Sequence, residues 1–598
     1  MCGIAGYVGI VSESQSVISS MTKQVAHRGP DAQGLVLDKD FGIGHCRLAI
    51  IDTSSKSNQP IANSRFVLAY NGEIYNWREL REEFALEVSQ INSDTQLLFK
   101  LLQSVPVSDL VPKLRGIFAF SFVDKTLGKT TLVRDKFGTK PMYTMFHNGT
   151  RFYGSEIKAF KSVPNWKPKI NVAGLQNYLS FQNNFGTKTI FDGVDMLPAG
   201  SITEIRHSNP MTITSKIVAE KINEEKFLID EVEYEEELNR LFEQAIKRNL
   251  VADVETGSYL SGGIDSTLIA LFSSSLVTNF RTFNVGFDIS NAKENELIFD
   301  ESGTAKEISH FLGTDHSSIV ITENDMATAI DSTSWAIEDP RVGQSYPNYF
   351  ASSIASKKVK VCLSGTGGDE IFAGYPWRYK PILDLSNRNL QNISLSRLWH
   401  RLGTKEEISL LLGIPTSDHE HYVALAISEV MSEITDPEQL LDLNHILKFE
   451  QKTFLHGLLI VEDKISMSHG IEVRVPYLDD DLVRFSEQLP SKLKYGFDTN
   501  TSQDVGKVAL RRLLSRRMPE ISNLKKQGFS APDETWFRND ANGLIQDRIL
   551  NPKSCLWEYL NYYEASKMVL DHLSGRSNRR LLIWSLLTLE STLRQFDF

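Results

Sequence analysis

Over the first 200 residues, apolar positions fall in short runs punctuated by Gly, Asn and Asp, a strand pattern rather than a long-helix one. The clearest runs are 41–51, 66–70, 116–124 and 130–134, while 78–86 and 95–102 read as helices. Strands in sequence, without regular strand–helix alternation, predict a layered α+β sandwich. Residues 206–226 turn polar and are expected to close this region. From Glu231 the texture changes. A helical pattern over 231–248 leads to a strand ending at Tyr259-Leu260, a second strand at 281–286, a helix at 301–311 and a third strand at 359–363. That alternation predicts a parallel sheet covered by helices on both faces. Beyond about residue 389 helical periodicity dominates. The expected organisation is a first domain over 2–205, a linker over 206–230 and a second domain over 231–598.

Composition removes several classes. With 598 residues, 41% hydrophobic and 23% charged, the chain is too long for one core and is neither disordered nor collagen-like. Its 64 Lys and Arg stand against 75 Asp and Glu, a formal charge of −11, which disfavours a global attraction to nucleic acid or an anionic membrane. No apolar run approaches the roughly 18 residues of a spanning helix. The run Leu581-Leu582-Ile583-Trp584 is interrupted by Ser585 and Glu590 and reads as a core helix. The four cysteines form no CxxC pair, so a cysteine zinc site has no support. Sparse cysteines and the lack of a secretory signal pattern make cytoplasmic the expected location.

Cys2 is the first residue with chemistry. If Met1 is trimmed, thiol and free α-amine sit on one residue, and an amine with a reference pKa near 8 can relay the thiol proton. Asn71 and Gly72, after a strand, can donate to a developing oxyanion. Arg47 can grip a carboxylate with two prongs, and Glu73 and Asp94 can hold an ammonium group. Together they would recognise an amino acid with a side-chain amide. Singly, each has a plainer reading: Asn71-Gly72 as a hairpin turn, Arg47 as a surface ion pair, Asp94 as a helix cap.

As a set, Met1-Cys2-Gly3-Ile4, His27-Arg28-Gly29-Pro30-Asp31, Tyr70-Asn71-Gly72-Glu73 and Ser93-Asp94 resemble the class II glutamine amidotransferases. Arg134-Asp135, Lys140-Pro141 and Ser155-Glu156-Ile157-Lys158 extend the match. The resemblance implies a four-layer α/β/β/α Ntn-hydrolase sandwich. It further implies Cys2 as nucleophile, Asn71 and Gly72 as oxyanion hole, and Arg47, Glu73 and Asp94 as glutamine ligands.

Two glycine loops mark a second site. Ser261-Gly262-Gly263-Ile264-Asp265-Ser266 lies between a strand and a helix, where backbone amides can meet an anion. Ser364-Gly365-Thr366-Gly367-Gly368-Asp369-Glu370 follows another strand, and Asp265 and Asp369 can share a magnesium ion. The plainer alternative is two tight turns with capping aspartates. A Walker loop is excluded, because Gly128-Lys129-Thr130 has Val123 where its first glycine would stand.

The first loop resembles that of the N-type ATP pyrophosphatases. With Asp463-Lys464, Glu472 to Asp479 and Lys525-Lys526-Gln527-Gly528-Phe529, nearly the whole chain resembles the glutamine-hydrolysing asparagine synthetase family. This implies a parallel-sheet pyrophosphatase domain with a helical C-terminal part. It implies ATP as substrate, bound by Leu260, Ser261, Gly262, Gly263, Asp265, Ser266, Ser364 and Gly365, with Mg²⁺ on Asp265 and Asp369. Lys526 is the implied catalytic cation, with Lys507 a second candidate. Glutamine and aspartate are the other implied partners, with no nucleic acid or membrane; a homodimer is an analogy with relatives.

The match frays at Thr366, where relatives often carry an acid near the acceptor and the attacking ammonia. A threonine is no base at neutral pH, so another group or ammonia itself handles the proton, or the acceptor is not aspartate. The alternative acceptor is another carboxylate, such as a sugar acid in surface polysaccharide synthesis. A plain Ntn hydrolase with a degenerate second domain, or a non-catalytic scaffold, sits poorly with two intact sites.

Overall fold

The computed structural model describes residues 2–86, 91–218, 231–290, 292–293, 296–341, 345–498, 502–519, 531–539 and 543–598. Its first part holds β1 (Gly3–Val8), β2 (Ala32–Leu37), β3 (Phe41–Arg47), β4 (Ile61–Ala62), β5 (Phe66–Ile74) and β6 (Gly116–Asp124). It continues with β7 (Lys129–Arg134), β8 (Tyr143–His147), β9 (Thr150–Gly154), β10 (Val194–Met196), β11 (Ser201–Arg206) and β12 (Asn209–Ile217). Two six-stranded sheets result, in the orders β10-β8-β9-β1-β3-β2 and β12-β11-β7-β6-β5-β4. Each strand pair in them is antiparallel.

Ile4, Val8, Ile43, Val67, Ala69, Ala119 and Leu132 fill the space between the sheets. On the outer face of one sheet lies helix Ser14–Gln24, whose Val17, Ile18 and Met21 are buried. On the other lie helices Trp77–Glu83 and Asp94–Leu102, with Leu80, Leu97 and Leu101 packed on Phe118 and Phe120. This is the expected four-layer α/β/β/α sandwich.

Two boundaries differ from expectation. Residues 209–217, assigned above to the linker, are β12, paired with β11 through Thr203↔Ser215 and Ile205↔Ile213. Their alternating polar sequence reads as loop because β12 is an edge strand facing solvent. The rest of the expected linker, 219–230, lies outside the described residues. Asn71-Gly72-Glu73 does not end its strand either: β5 runs on to Ile74, with Asn71↔Ala119 and Gly72↔Phe118 in register with β6. Asn-Gly mimics a hairpin signal here, but Gly72 has φ +151° and sits in the ladder.

The second part is built on β13 (Thr256–Tyr259), β14 (Arg281–Phe287), β15 (Asp315–Ile321), β16 (Val361–Leu363) and β17 (Glu472–Arg474). They form one parallel sheet in the order β15-β14-β13-β16-β17. The chain moves outward on one side of β13 to β14 and β15, then returns to its other side at β16. The β13/β16 crevice is therefore the topological switch point, where ligands of open α/β sheets bind. Several helices between 376 and 450 pack on one another through Tyr379, Ile382, Leu395, Val423, Ile427 and Ile446, and an antiparallel pair, β18 (Tyr495–Asp498) and β19 (Gln503–Gly506), follows. Helix Arg580–Phe596 is a core helix, as the 581–584 run predicts. Among the described residues no helix is long and apolar enough to cross a membrane.

Candidate active site

Cys2 stands at the start of β1 and is buried. Its backbone N–H donates to Asn71 Oδ1 at 2.9 Å, and its carbonyl accepts from Arg28 Nε at 3.1 Å. Burial pushes the thiol pKa up, while the N-terminal charge and Arg47 pull it down. With Asn71 Oδ1 used, Asn71 Nδ2 is a buried donor without a hydrogen-bond partner. A Cβ on Gly72 would lie 2.1 Å from the Ile117 carbonyl oxygen and 2.6 Å from Phe118 Cα, so only glycine fits this close approach to β6.

Glu73 and Asp94 are both buried near Tyr70. Asp94 accepts from Tyr70 Oη at 2.6 Å and from the amides of Ile74 and Thr95. Ser93, not Asp94, caps the helix, accepting from Gln96 N. Glu73 Oε2 accepts from Arg474 NH2 at 3.0 Å, and Glu73 Oε1 has no hydrogen-bond partner. Burial and Asp94 push the Glu73 pKa well above the ordinary carboxylate range, against Arg474, and burial also raises Asp94. Burial and mutual repulsion thus disfavour charge on both carboxyls, and a further cation nearby would favour it. Arg47 is no surface residue. NH1 donates to Ser54 O and Asn58 Oδ1, and NH2 to Ile51 O and Asp52 O, so the guanidinium holds loop 51–58. A two-pronged grip on a carboxylate would have to share these donors.

The second site forms at the β13/β16 crevice. After β13, Gly262 takes φ +92° and Gly263 precedes helix Ile264–Leu276. Ser261 Oγ and Ser266 Oγ lie 3.1 Å apart and close the loop. After β16, the Ser364–Gly368 loop packs directly on the first one. A Cβ on Gly365 would be 3.0 Å from Asp265 Cβ, and one on Gly368 would be 2.8 Å from Asp265 Cγ. Lys507 Nζ lies between the two aspartates, donating to Asp265 Oδ2 and standing 2.6 Å from Asp369 Oδ1. Asp265 Oδ1 remains buried without a partner. Both loops wall a cavity of about 790 Å³ that also meets Asn284, Val285, Arg341, Tyr375, Arg378 and Glu462. All eight residues expected to bind ATP line it, as do Asp265 and Asp369. Lys526 lies outside the described residues.

Two carboxylates beside a glycine loop at a helix N-terminus fit magnesium, which is commonly held by one or two carboxylates together with substrate phosphates. Among the described residues no group of three or more His, Cys, Asp or Glu side chains could hold a metal by itself. The fit is thus to a metal that arrives with phosphates.

A buried ionic network ties the two sites together, and sequence reasoning did not assign it. Arg28 is fully buried and bridges Glu156 (2.8 Å) and Asp463 (2.7 Å). Asp463 also meets Lys140 at 3.1 Å. Glu338 accepts from the amides of Ile157 and Lys158 and from Lys464 Nζ. Arg474 binds Glu472, Glu73 and the carbonyls of Asn249 and Val251. The motif residues Lys140, Glu156, Lys158, Asp463, Lys464 and Arg474 therefore join the two parts of the chain. Charged residues inside motifs of both parts were the available signal; nothing in their spacing told which pairs would meet.

A model of the glutamine amidotransferase domain matches residues 1–215, and a model described as asparagine synthase matches residues 237–594. The chain is 28% identical to asparagine synthetase (glutamine-hydrolyzing) 1 of Bacillus subtilis, over 98% of this chain and 95% of that protein. It is 27% identical to a putative asparagine synthetase (glutamine-hydrolyzing) of Mycobacterium tuberculosis, over 98% and 96%. It is 26% identical to amidase chry2 of Gibberella zeae, over 90% of each.

Proposed function

Because the chain belongs to the asparagine synthase family and begins with a glutamine amidotransferase domain, we propose that it hydrolyses glutamine at Cys2 and uses the ammonia to amidate aspartate. ATP would activate the aspartate side-chain carboxylate as an acyl-adenylate, giving asparagine, glutamate, AMP and pyrophosphate. The observation that carries this reading is the pair of glycine loops closing on one cavity at the switch point, with Asp265, Lys507 and Asp369 between them.

At the first site Cys2 would attack the glutamine amide carbon, and its α-amine would relay the proton. Asn71 Nδ2, the open donor, and the Gly72 N–H would receive the oxyanion. Glu73 Oε1 and Asp94 would hold the substrate ammonium, whose charge relieves their buried repulsion. Arg47 would hold loop 51–58 against the substrate carboxylate. Gly72→Ala is expected to lower glutamine hydrolysis by about 10²–10³-fold, the usual cost of a lost oxyanion donor, because β5 must shift away from β6. Glutaminase assay of the purified variant reads this directly.

At the second site the loop amides would bind phosphates, and Asp265 and Asp369 would hold magnesium. When bound, magnesium neutralises charge that builds on the phosphates. Lys507 would shift from the aspartates towards the phosphates, and Lys526 is the family's candidate for the same task. Asp265→Asn is expected to slow acceptor-dependent pyrophosphate release by about 10²-fold or more, since a metal's charge stabilisation is worth several kcal/mol. Glutamine hydrolysis measured alongside would report an intact fold.

A second reading keeps the machinery and changes the acceptor to another carboxylate, such as a sugar acid. Thr366, standing on the cavity wall where relatives often carry an acid, is the observation that favours it. The test is pyrophosphate release with Mg-ATP and ammonium chloride, with and without aspartate. Aspartate-dependent release with asparagine formed supports the first reading. No response to aspartate, in protein that still hydrolyses glutamine, moves the assignment to the second.

A further inference from the structure

We propose that Glu462 takes the proton from ammonia as it attacks the activated acceptor, supplying from a different element the acid that position 366 lacks. The inference rests on the ligase reading above. Glu462 lies on helix His456–Ser468, directly before Asp463 of the ionic network, and its side chain reaches the cavity wall. Its Oε1 accepts from Thr366 Oγ1 at 2.8 Å and from Ser364 Oγ at 2.9 Å. The two hydroxyls are themselves 3.0 Å apart. The carboxylate is therefore pinned to the loop that carries residue 366, with Oε2 left for another partner.

Of the other carboxyls of this wall, Asp300 accepts from Ser302, and Glu301, pushed up to about 7 by burial and Asp300, precedes helix Ser302–Leu312 and is not on the loop that carries residue 366. Lys507 holds Asp265 and Asp369, Tyr375 Oη donates to Glu370 at 2.8 Å, and Tyr346 and Trp584 donate to Asp533. Among the described residues no Lys, Arg or His forms an ion pair with Glu462, and burial raises its pKa against the hydrogen bonds from Thr366 and Ser364 and the charges of Lys140 and Arg341. A half-buried carboxylate held by two neutral hydroxyls, with no ion-pair partner among the described residues, is costly for stability. As a base it is well placed: the two donors fix its orientation on the loop that carries residue 366, and burial raises its basicity above that of an ordinary carboxylate.

The step balances without a further reactant. The ammonia lone pair forms a C–N bond to the acyl carbon. The resulting N–H proton passes to Glu462, and the acyl C–O bond breaks as AMP leaves with the electron pair. Thr366 then acts as a positioning residue, not a base.

The test compares two half-reactions of Glu462→Gln in a single turnover with Mg-ATP, aspartate and ammonium chloride. Pyrophosphate release is expected to stay within a few-fold of the unaltered protein, while amide formation falls by about 10²–10⁴-fold, the range of general base catalysis. Glutamine hydrolysis at Cys2 reports folding. Moving the carboxylate back, in Thr366→Glu with Glu462→Gln, is expected to restore amide formation at least about tenfold. Glu462→Gln forming amide at the unaltered rate would overturn the proposal. So would parallel loss of pyrophosphate release, which marks acceptor binding rather than proton transfer, or no recovery in the double variant. If the unaltered protein releases no pyrophosphate with aspartate, it is the acceptor assignment that fails. The same pair of measurements is then made with the carboxylate that does support release.

Discussion

Cys2→Ala is expected to abolish glutamine hydrolysis and glutamine-driven amide formation while leaving ammonia-driven synthesis within about twofold. Removing a nucleophile that acts with its partners as a unit costs on the order of 10⁴–10⁶ in rate. The substitution is small, and the backbone contacts of Cys2 do not depend on its thiol: the N–H to Asn71 and the carbonyl to Arg28 both remain. The second cavity is walled by residues 182 and beyond, so its loops have no direct stake in the thiol. Glutaminase and ammonium-driven pyrophosphate assays on one preparation read both effects. Loss of both activities in folded protein would contradict a division of labour between the sites.

Arg28→Met is expected to be the most damaging single change to stability, by about 3–5 kcal/mol, the cost of leaving a buried charge unpaired. The guanidinium is fully buried and serves three acceptors: Glu156, Asp463 and the Cys2 carbonyl. Without it, two carboxylates from different parts of the chain face each other with less compensation, though Lys140, Lys158 and His27 still contact them. Glutamine hydrolysis should fall as well, because the Cys2 backbone loses a tether. Arg28→Lys should recover only part of the loss, since an ammonium cannot reproduce the fork that reaches both acids. Denaturant midpoints read the effect, and an unchanged midpoint for Arg28→Met would contradict this account of the interface.

Much of the architecture was legible because it rests on local signals. Alternating apolar runs predict the sandwich strands, and the loops at 261–266 and 364–370 are strand-to-helix turns in both sequence and structure. The extension of β5 through Asn71-Gly72 was not legible. Asn-Gly is a turn signal locally, and what overrides it is pairing with Phe118, forty-six positions away. β12 was lost for the opposite reason: an exposed edge strand needs no apolar alternation. In the candidate sites, the residue types and motifs were readable, but their pairings were not. Arg47 turned inward to loop 51–58, Arg474 reached Glu73, and Glu462 met Thr366, each through contacts that depend on the assembled fold.

Nitrogen released at Cys2 is expected to become the amide of a carboxylate activated in the β13/β16 cavity. The most direct test is a reaction with glutamine labelled with ¹⁵N in its side-chain amide, Mg-ATP and aspartate, followed by product mass and nucleotide analysis. The expected product is ¹⁵N-labelled asparagine, with AMP and pyrophosphate formed in equal amounts to it. Glutamate released without any labelled amide product, or ATP cleaved to ADP and phosphate, would rule out glutamine-driven amidation of an aspartyl adenylate by this protein.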